Sequence, residues 1–247
     1  MKEVLKPQIT ETMGAWEIKP TIQLKGVLAS LSMAKDHSQT TVIIGETGSG
    51  KTYSLNVFKN RFPLEVFAVK VGSSDNLRDL IAKVLKSLKI NCPKSTSSAR
   101  LAQIAGKLKV LKGQGLQPIL VFDEAEYMKY SALCAFKELY DVLHQDCALV
   151  LIGTNELLTN LDKLLKSHKA GIAQLFRRIR FKIQELPLID KRFEQFLVET
   201  EPSLKKWLQQ NCNNYGELHD VMIPALAEAE RSNTPLSVDL VKTVLGL

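Results

Sequence analysis

The chain has 247 residues, 45% of them hydrophobic, and a formal net charge of +7. Its composition is that of an ordinary soluble globular protein, long enough for one large domain and a small appendage. No apolar run reaches membrane-spanning length, and Met1-Lys2-Glu3-Val4-Leu5-Lys6-Pro7 lacks the apolar core of a secretory signal, so the cytoplasm is the expected location.

In chain order, residues 1–20 read as an extended arm broken by Pro7, Gly14 and Pro20. A helix is predicted from Thr21 to about Ala34. Strands are predicted at 41–45, 64–71, 118–123, 148–153 and 179–185. Helices fill the gaps at 51–60, 75–88, 98–112, 131–144 and 155–165. Strands alternating with helices predict an α/β fold, a parallel sheet covered on both faces. After Leu186-Pro187-Leu188 the pattern turns wholly helical, at 190–199, 203–212, 216–231 and 236–245. The expected division is an arm at 1–20, an α/β domain at 21–187 and a helical lid at 188–247. The four cysteines, Cys92, Cys134, Cys147 and Cys212, form no C-x-x-C pair, and no histidine stands nearby at metal-ligand spacing. Reduced thiols and no zinc site are expected.

The most specific signal is Gly45-Glu46-Thr47-Gly48-Ser49-Gly50-Lys51-Thr52, a complete G-x-x-x-x-G-K-[ST] loop. A β-branched strand precedes it and a helical segment beginning near Tyr53 follows, as a phosphate-binding loop requires. Its glycines free backbone N–H groups to wrap phosphates, and the helix terminus adds partial positive charge. ATP is the expected ligand. Lys51 is expected to reach the β- and γ-phosphates and the Thr52 hydroxyl to ligate Mg²⁺. The second signal is Ile119-Leu120-Val121-Phe122-Asp123-Glu124, a buried strand tipped by two carboxylates. Asp123 is expected in the Mg²⁺ shell, and Glu124 as the group that activates the attacking water.

Weaker signals follow. Leu149-Val150-Leu151-Ile152-Gly153-Thr154-Asn155 is another buried strand with polar residues at its tip. Asn155, with Thr154 second, either contacts the γ-phosphate or caps the next helix. In Leu175-Phe176-Arg177-Arg178-Ile179-Arg180, Arg177 and Arg178 are candidates for an arginine presented to a neighbour's nucleotide, against a plain basic turn; Arg180 is a candidate for nucleic acid. Residues 80–122 and 163–184 contain no Asp or Glu yet carry many Lys and Arg. Such runs fit either a nucleic-acid partner or a solvated surface.

Together, GETGSGKT, ILVFDEAEYM, LVLIGTNEL, LFRRIR and the helical tail resemble an AAA+ ATPase. Within that class the chain resembles the transposition regulators typified by phage Mu B protein, TnsC and TniB, with the IstB helpers more distant. The resemblance spans about residues 12–231. It implies a prokaryotic, DNA-associated, Mg-dependent ATPase that forms ATP-bound rings or filaments on duplex DNA. It implies delivery of target DNA to a DDE-type transposase, with hydrolysis driving disassembly. It maps catalysis to Lys51, Glu124, Asn155, Arg177 and Arg178. Nucleotide contacts fall to Gly45, Glu46, Thr47, Gly48, Ser49, Gly50, Lys51, Thr52, Tyr53 and Asp123. DNA contacts fall in the first basic run, at Lys83, Lys86, Lys94 and Arg100, and Trp16 is expected near the adenine.

Two departures are visible. Only about 20 residues precede the first core helix, so no separate N-terminal DNA-binding domain is expected. Where related lids place an arginine, Tyr215-Gly216-Glu217-Leu218-His219 offers a histidine. The alternatives are a helicase loader or replication-initiator-like ATPase, a small-molecule phosphotransferase, and a nucleotide-gated scaffold that barely hydrolyses.

Overall fold

A computed structural model describes residues 19–92 and 96–247. Trp16 and Lys94 lie outside the described residues. The chain divides into two compact units. One holds Gln23–Glu46 and Lys51–Pro187; the other holds Leu188–Leu247, the loop stretch Thr47–Gly50 and the described residues up to Ile22.

The larger unit is a five-stranded, all-parallel sheet in the order β2-β3-β4-β1-β5. Its strands are β1 (Thr41–Ile44), β2 (Val66–Lys70), β3 (Ile119–Asp123), β4 (Ala148–Gly153) and β5 (Ile183–Glu185). Its helices are α1 (Ile22–Asp36), α2 (Lys51–Arg61), α3 (Leu77–Ser87), α4 (Ser97–Gly113), α5 (Tyr130–Leu143), α6 (Asn155–Lys166) and α7 (Ile172–Ile179), with a 3₁₀ turn at Ala125–Tyr127.

Strand periodicity decides which helix covers which face, because successive side chains point to opposite sides. Ile43, Val121, Val150 and Ile152 face Val27 and Leu31 of α1 and Leu55 and Phe58 of α2. Val42, Ile44, Leu120, Phe122, Leu149 and Leu151 face the opposite core, built on α3 to α7. Every residue of β3 and β4 is buried, which explains the unbroken apolar runs Ile119–Phe122 and Ala148–Ile152. Each Val, Leu, Ile or Phe among them contributes roughly 1.5–3 kcal/mol on burial.

The smaller unit contains α8 (Pro202–Asn211), α9 (Tyr215–Ser232) and α10 (Val238–Leu245) around Leu197, Leu204, Leu208, Leu218, Met222 and Val241. Glu201, Asn214 and Ser237 cap the three helices by accepting backbone N–H bonds. Within this unit the Gly216 N–H donates to the Gly48 carbonyl at 3.3 Å.

Two expectations are corrected. The segment 190–199 is not a helix but a run of turns. Asp190 bonds the backbone and guanidinium of Arg192, and Phe193 takes a left-handed φ of 49° that a helix cannot use. The strand expected at 179–185 begins at Ile183; Ile179 ends α7 and Arg180–Lys182 form a turn. Ile172, Leu175 and Ile179 bury one face of that helix at helical spacing, which outweighs the β-propensity of Ile179.

Candidate functional site

β1 delivers the loop to its place. The rung after Ile44 is a bond from the Gly45 N–H to the Gly153 carbonyl at 3.1 Å, so the loop leaves the carboxyl edge of the sheet beside the tip of β4. Gly48 and Gly50 then turn through left-handed φ values of 73° and 82°, open to glycine at little cost. α2 starts at Lys51, with Thr52 and Tyr53 in its first turn.

Lys51 Nζ donates to the Gly45 carbonyl at 2.8 Å and to the Glu46 carbonyl at 2.7 Å. Burial lowers its pKa below that of a free lysine, partly opposed by the carboxylates of Glu126, Asp123, Glu124 and Glu46. Thr52 Oγ1 donates to Asp123 Oδ2 at 2.7 Å, joining the loop to the tip of β3. Asp123 is buried, and its other oxygen accepts the Glu124 N–H at 3.0 Å. The next residue breaks the strand: Glu124 sits at φ 55°, ψ 42°. Its carboxylate meets Lys70 Nζ at 2.9 Å, and this bond raises the Lys70 pKa. Lys70 ends β2, directly across from Asp123 in the parallel register.

Sequence reasoning missed Lys70 and also Glu126. The 3₁₀ turn carries the Glu126 carboxylate to the end of β4, where it accepts the Thr154 N–H at 3.4 Å. The Glu126 carbonyl accepts from Asn160 Nδ2 at 3.1 Å. A Cβ at Gly153 would lie 2.6 Å from Glu126 Oε2, so any larger residue there would displace this carboxylate. The available signal was the third acid of Asp123-Glu124-Ala125-Glu126.

Thr154, not Asn155, is the cap residue of α6, and its side chain makes no capping bond. The Thr154 hydroxyl oxygen is buried without a hydrogen-bond partner. Asn155 is exposed at the first position of α6. Arg177 is exposed, whereas Arg178 pairs with Asp141 at 2.5 Å and stacks over Tyr140 at 5.0 Å. Arg178 is thus held within its own chain. His219 in α9 lies 3.3 Å from Asp220.

The expected DNA contacts divide. Lys86 is exposed on α3. Lys83 remains partly exposed but is engaged, pairing with Asp75 at 2.5 Å and donating to the Lys70 carbonyl at 3.1 Å. That bond, with the Gly72 N–H, holds the Asp75 carboxyl below the usual range. Arg100 is half-buried in α4, with its Nε buried and unpartnered.

Hard oxygen donors on Thr52 and Asp123, 2.7 Å apart, suit Mg²⁺, which takes one or two protein ligands beside phosphate oxygens and water. No group of three or more His, Cys, Asp or Glu that could hold a metal occurs among the described residues. The arrangement as a whole can cradle a triphosphate, neutralise it with Lys51, and set a carboxylate beside it.

The AAA domain family matches residues 34–161, more than half of the chain. The chain belongs to the AAA domain family. An AAA domain is in general a nucleoside-triphosphatase, and the parallel sheet flanked by helices is its core. No curated protein matches this AAA chain. Among solved structures it is similar to Cdc6p from Pyrobaculum aerophilum, with 17% identity and a TM-score of 0.66, covering 94% of this chain and 69% of that one. It is also similar to the Aeropyrum pernix Orc1 protein in complex with DNA, with 12% identity and a TM-score of 0.63, covering 91% of this chain and 64% of that one, under two thirds of its length. A third is the replication initiator DnaA bound to AMPPCP and single-stranded DNA, with 15% identity and a TM-score of 0.53, covering 94% and 70%. At these identities the likeness is one of fold. Among the described residues no helix is long and apolar enough to cross a membrane.

Proposed function

We propose that this AAA protein is a DNA-dependent ATPase that assembles on duplex DNA in its ATP-bound state, and that hydrolysis resets the assembly. The observation that carries the reading is the Thr52–Asp123 hydrogen bond, which fixes the phosphate loop to the strand tip bearing Glu124. Thr52 and Asp123 would hold Mg²⁺, which supplies charge neutralisation at the phosphates when bound. Lys51 exchanges the Gly45 and Glu46 carbonyls for phosphate oxygens. Glu124, released from Lys70, accepts the proton of the attacking water. Arg177, exposed at the end of α7, reaches a neighbouring protomer's nucleotide in the assembly.

The finer role we propose is selection of target DNA and its delivery to a DDE-type transposase, which the motif pattern from the phosphate loop to the helical tail supports. A second reading is an initiator-like or helicase-loading ATPase. It is supported by the fold likeness to Cdc6p, Orc1 and DnaA, two of them in structures that hold DNA. Both readings draw on the exposed cations Lys86, Lys89 and Lys107 of the first acid-free run for phosphate contacts.

The test is ATP turnover by the purified protein with and without duplex DNA, with electron micrographs in a non-hydrolysable ATP analogue. DNA-stimulated turnover and nucleotide-dependent rings or filaments support the proposal. Further stimulation by a transposase, against none by a replicative helicase, separates the readings. Turnover of a soluble phosphoryl acceptor without any DNA response would overturn both.

A further inference from the structure

The amino-terminal ends of β1, β4 and β5 enclose a second pocket that the ATPase reading does not use. It is a cavity of about 270 Å³ at the small end of ligand sites. Its lining joins the loop before β1, the end of α5 and the turn into β5, and includes Ser38, His37, Tyr140, His144, Gln145 and Lys182. We propose that this pocket binds a phosphate group.

The charge around it favours an anion. Three lining side chains can carry positive charge, His37, His144 and Lys182, and no lining residue is a carboxylate. Lys112 Nζ stands against the Ser38 hydroxyl at 3.1 Å and adds a fourth cation. Two of the three carboxylates beside the lining segments are already engaged. Asp141 is taken by Arg178 at 2.5 Å and by Lys137 at 3.1 Å. Asp146 pairs with Lys109 at 3.7 Å; Asp36 is exposed to solvent, its neighbour Lys35 being held by Glu65 at 3.0 Å.

The architecture is built rather than incidental. Tyr140 forms one wall, with Lys182 Nζ 5.7 Å and Arg178 5.0 Å from its ring and the His144 ring edge-on at 5.9 Å. The two framing loops are helix ends, closed by left-handed Ser38 after α1 and Gln145 after α5. The phosphate loop leaves the other end of β1, roughly 13 Å of strand away, so this pocket stands independently of the nucleotide site.

Four histidines in the chain make the test direct: His37 and His144 line the pocket, His168 and His219 do not. Inorganic pyrophosphate is titrated into the full chain carrying Lys51→Ala, which silences the phosphate loop, and the imidazole resonances are followed by NMR. Saturable shifts of His37 and His144, with His168 and His219 unmoved, are expected. Lys182→Gln should weaken them at least tenfold and Lys182→Arg should keep them. A single-stranded oligonucleotide is titrated in parallel. Saturation at lower concentration than pyrophosphate assigns the phosphate to a nucleic-acid backbone; the reverse assigns it to a free phosphate ligand. No shift with either probe, or shifts unchanged in a folded Lys182→Gln, overturns the proposal.

Discussion

Lys70 Nζ meets Glu124 Oε1 at 2.9 Å across the rung where β2 pairs with the tip of β3. The carboxylate proposed to activate water is thereby held by a lysine. The Lys70 side chain is 66% exposed, so the pair is worth at most about 1 kcal/mol. Lys70→Ala should therefore raise DNA-free turnover by up to about fivefold, with the melting temperature lowered by no more than a few degrees. A fall in turnover would make Lys70 an aid to the base instead of a restraint on it.

Glu124→Gln should retain ATP binding and lower hydrolysis by about 10²–10⁴-fold, the usual worth of a general base. DNA-bound assemblies of this variant should outlast those of the parent by a similar factor in a dissociation assay. Disassembly as fast as the parent's removes Glu124 from that role.

Glu126 offers a different separation of effects. Its carboxylate is the strongest of the charges that favour a protonated Lys51, and the same negative charge beside Lys51 opposes an incoming phosphate. Glu126→Gln keeps an acceptor for the Thr154 N–H and removes one negative charge, so KM for ATP should fall severalfold. Glu126→Ala loses the bond to Thr154 as well, and kcat should fall with it. Equal effects of both variants would reduce Glu126 to a packing residue.

The two adjacent arginines should behave oppositely. Arg178→Ala breaks the pair with Asp141 and the stack on Tyr140, and should lower the melting temperature by a few degrees. Arg177→Ala should leave melting unchanged and abolish only the turnover that depends on assembly. Circular-dichroism melts beside DNA-stimulated rates test both.

Lys51 also predicts a pH dependence. Its folded pKa is depressed below 10.5, so the folded chain penalises the ammonium and the unfolded chain binds more protons at alkaline pH. The penalty is full below the folded pKa and is relieved as pH rises toward 10.5. Without nucleotide, the melting temperature of the parent should thus climb relative to Lys51→Met across that window. A constant difference between the two would refute it.

The phosphate loop and the β3 tip were legible in the sequence because each is local: a fixed spacing on one short segment carries the chemistry. Lys70 was not, because its meaning depends on β2 lying beside β3, which sequence order alone does not state. Glu126 required the 3₁₀ turn that follows the left-handed Glu124. The strand order of the sheet was likewise beyond periodicity, which assigns faces but not neighbours. Segment 190–199 misled because Ile189, Phe193 and Leu197 keep helical spacing while their backbone does not.

The placement of β1 carries a consequence for how the chain matures. Thr41 pairs with Val150 and Val42 with Ile183, both synthesised long after the strand they flank. A nascent chain that has emerged only as far as β3 has the complete phosphate-loop sequence but neither wall to hold it. Competence to grip nucleotide therefore arrives late in translation, when β4 and β5 close around β1, and a fragment ending before Ala148 should emerge as a client for chaperones rather than a small ATP-binding protein.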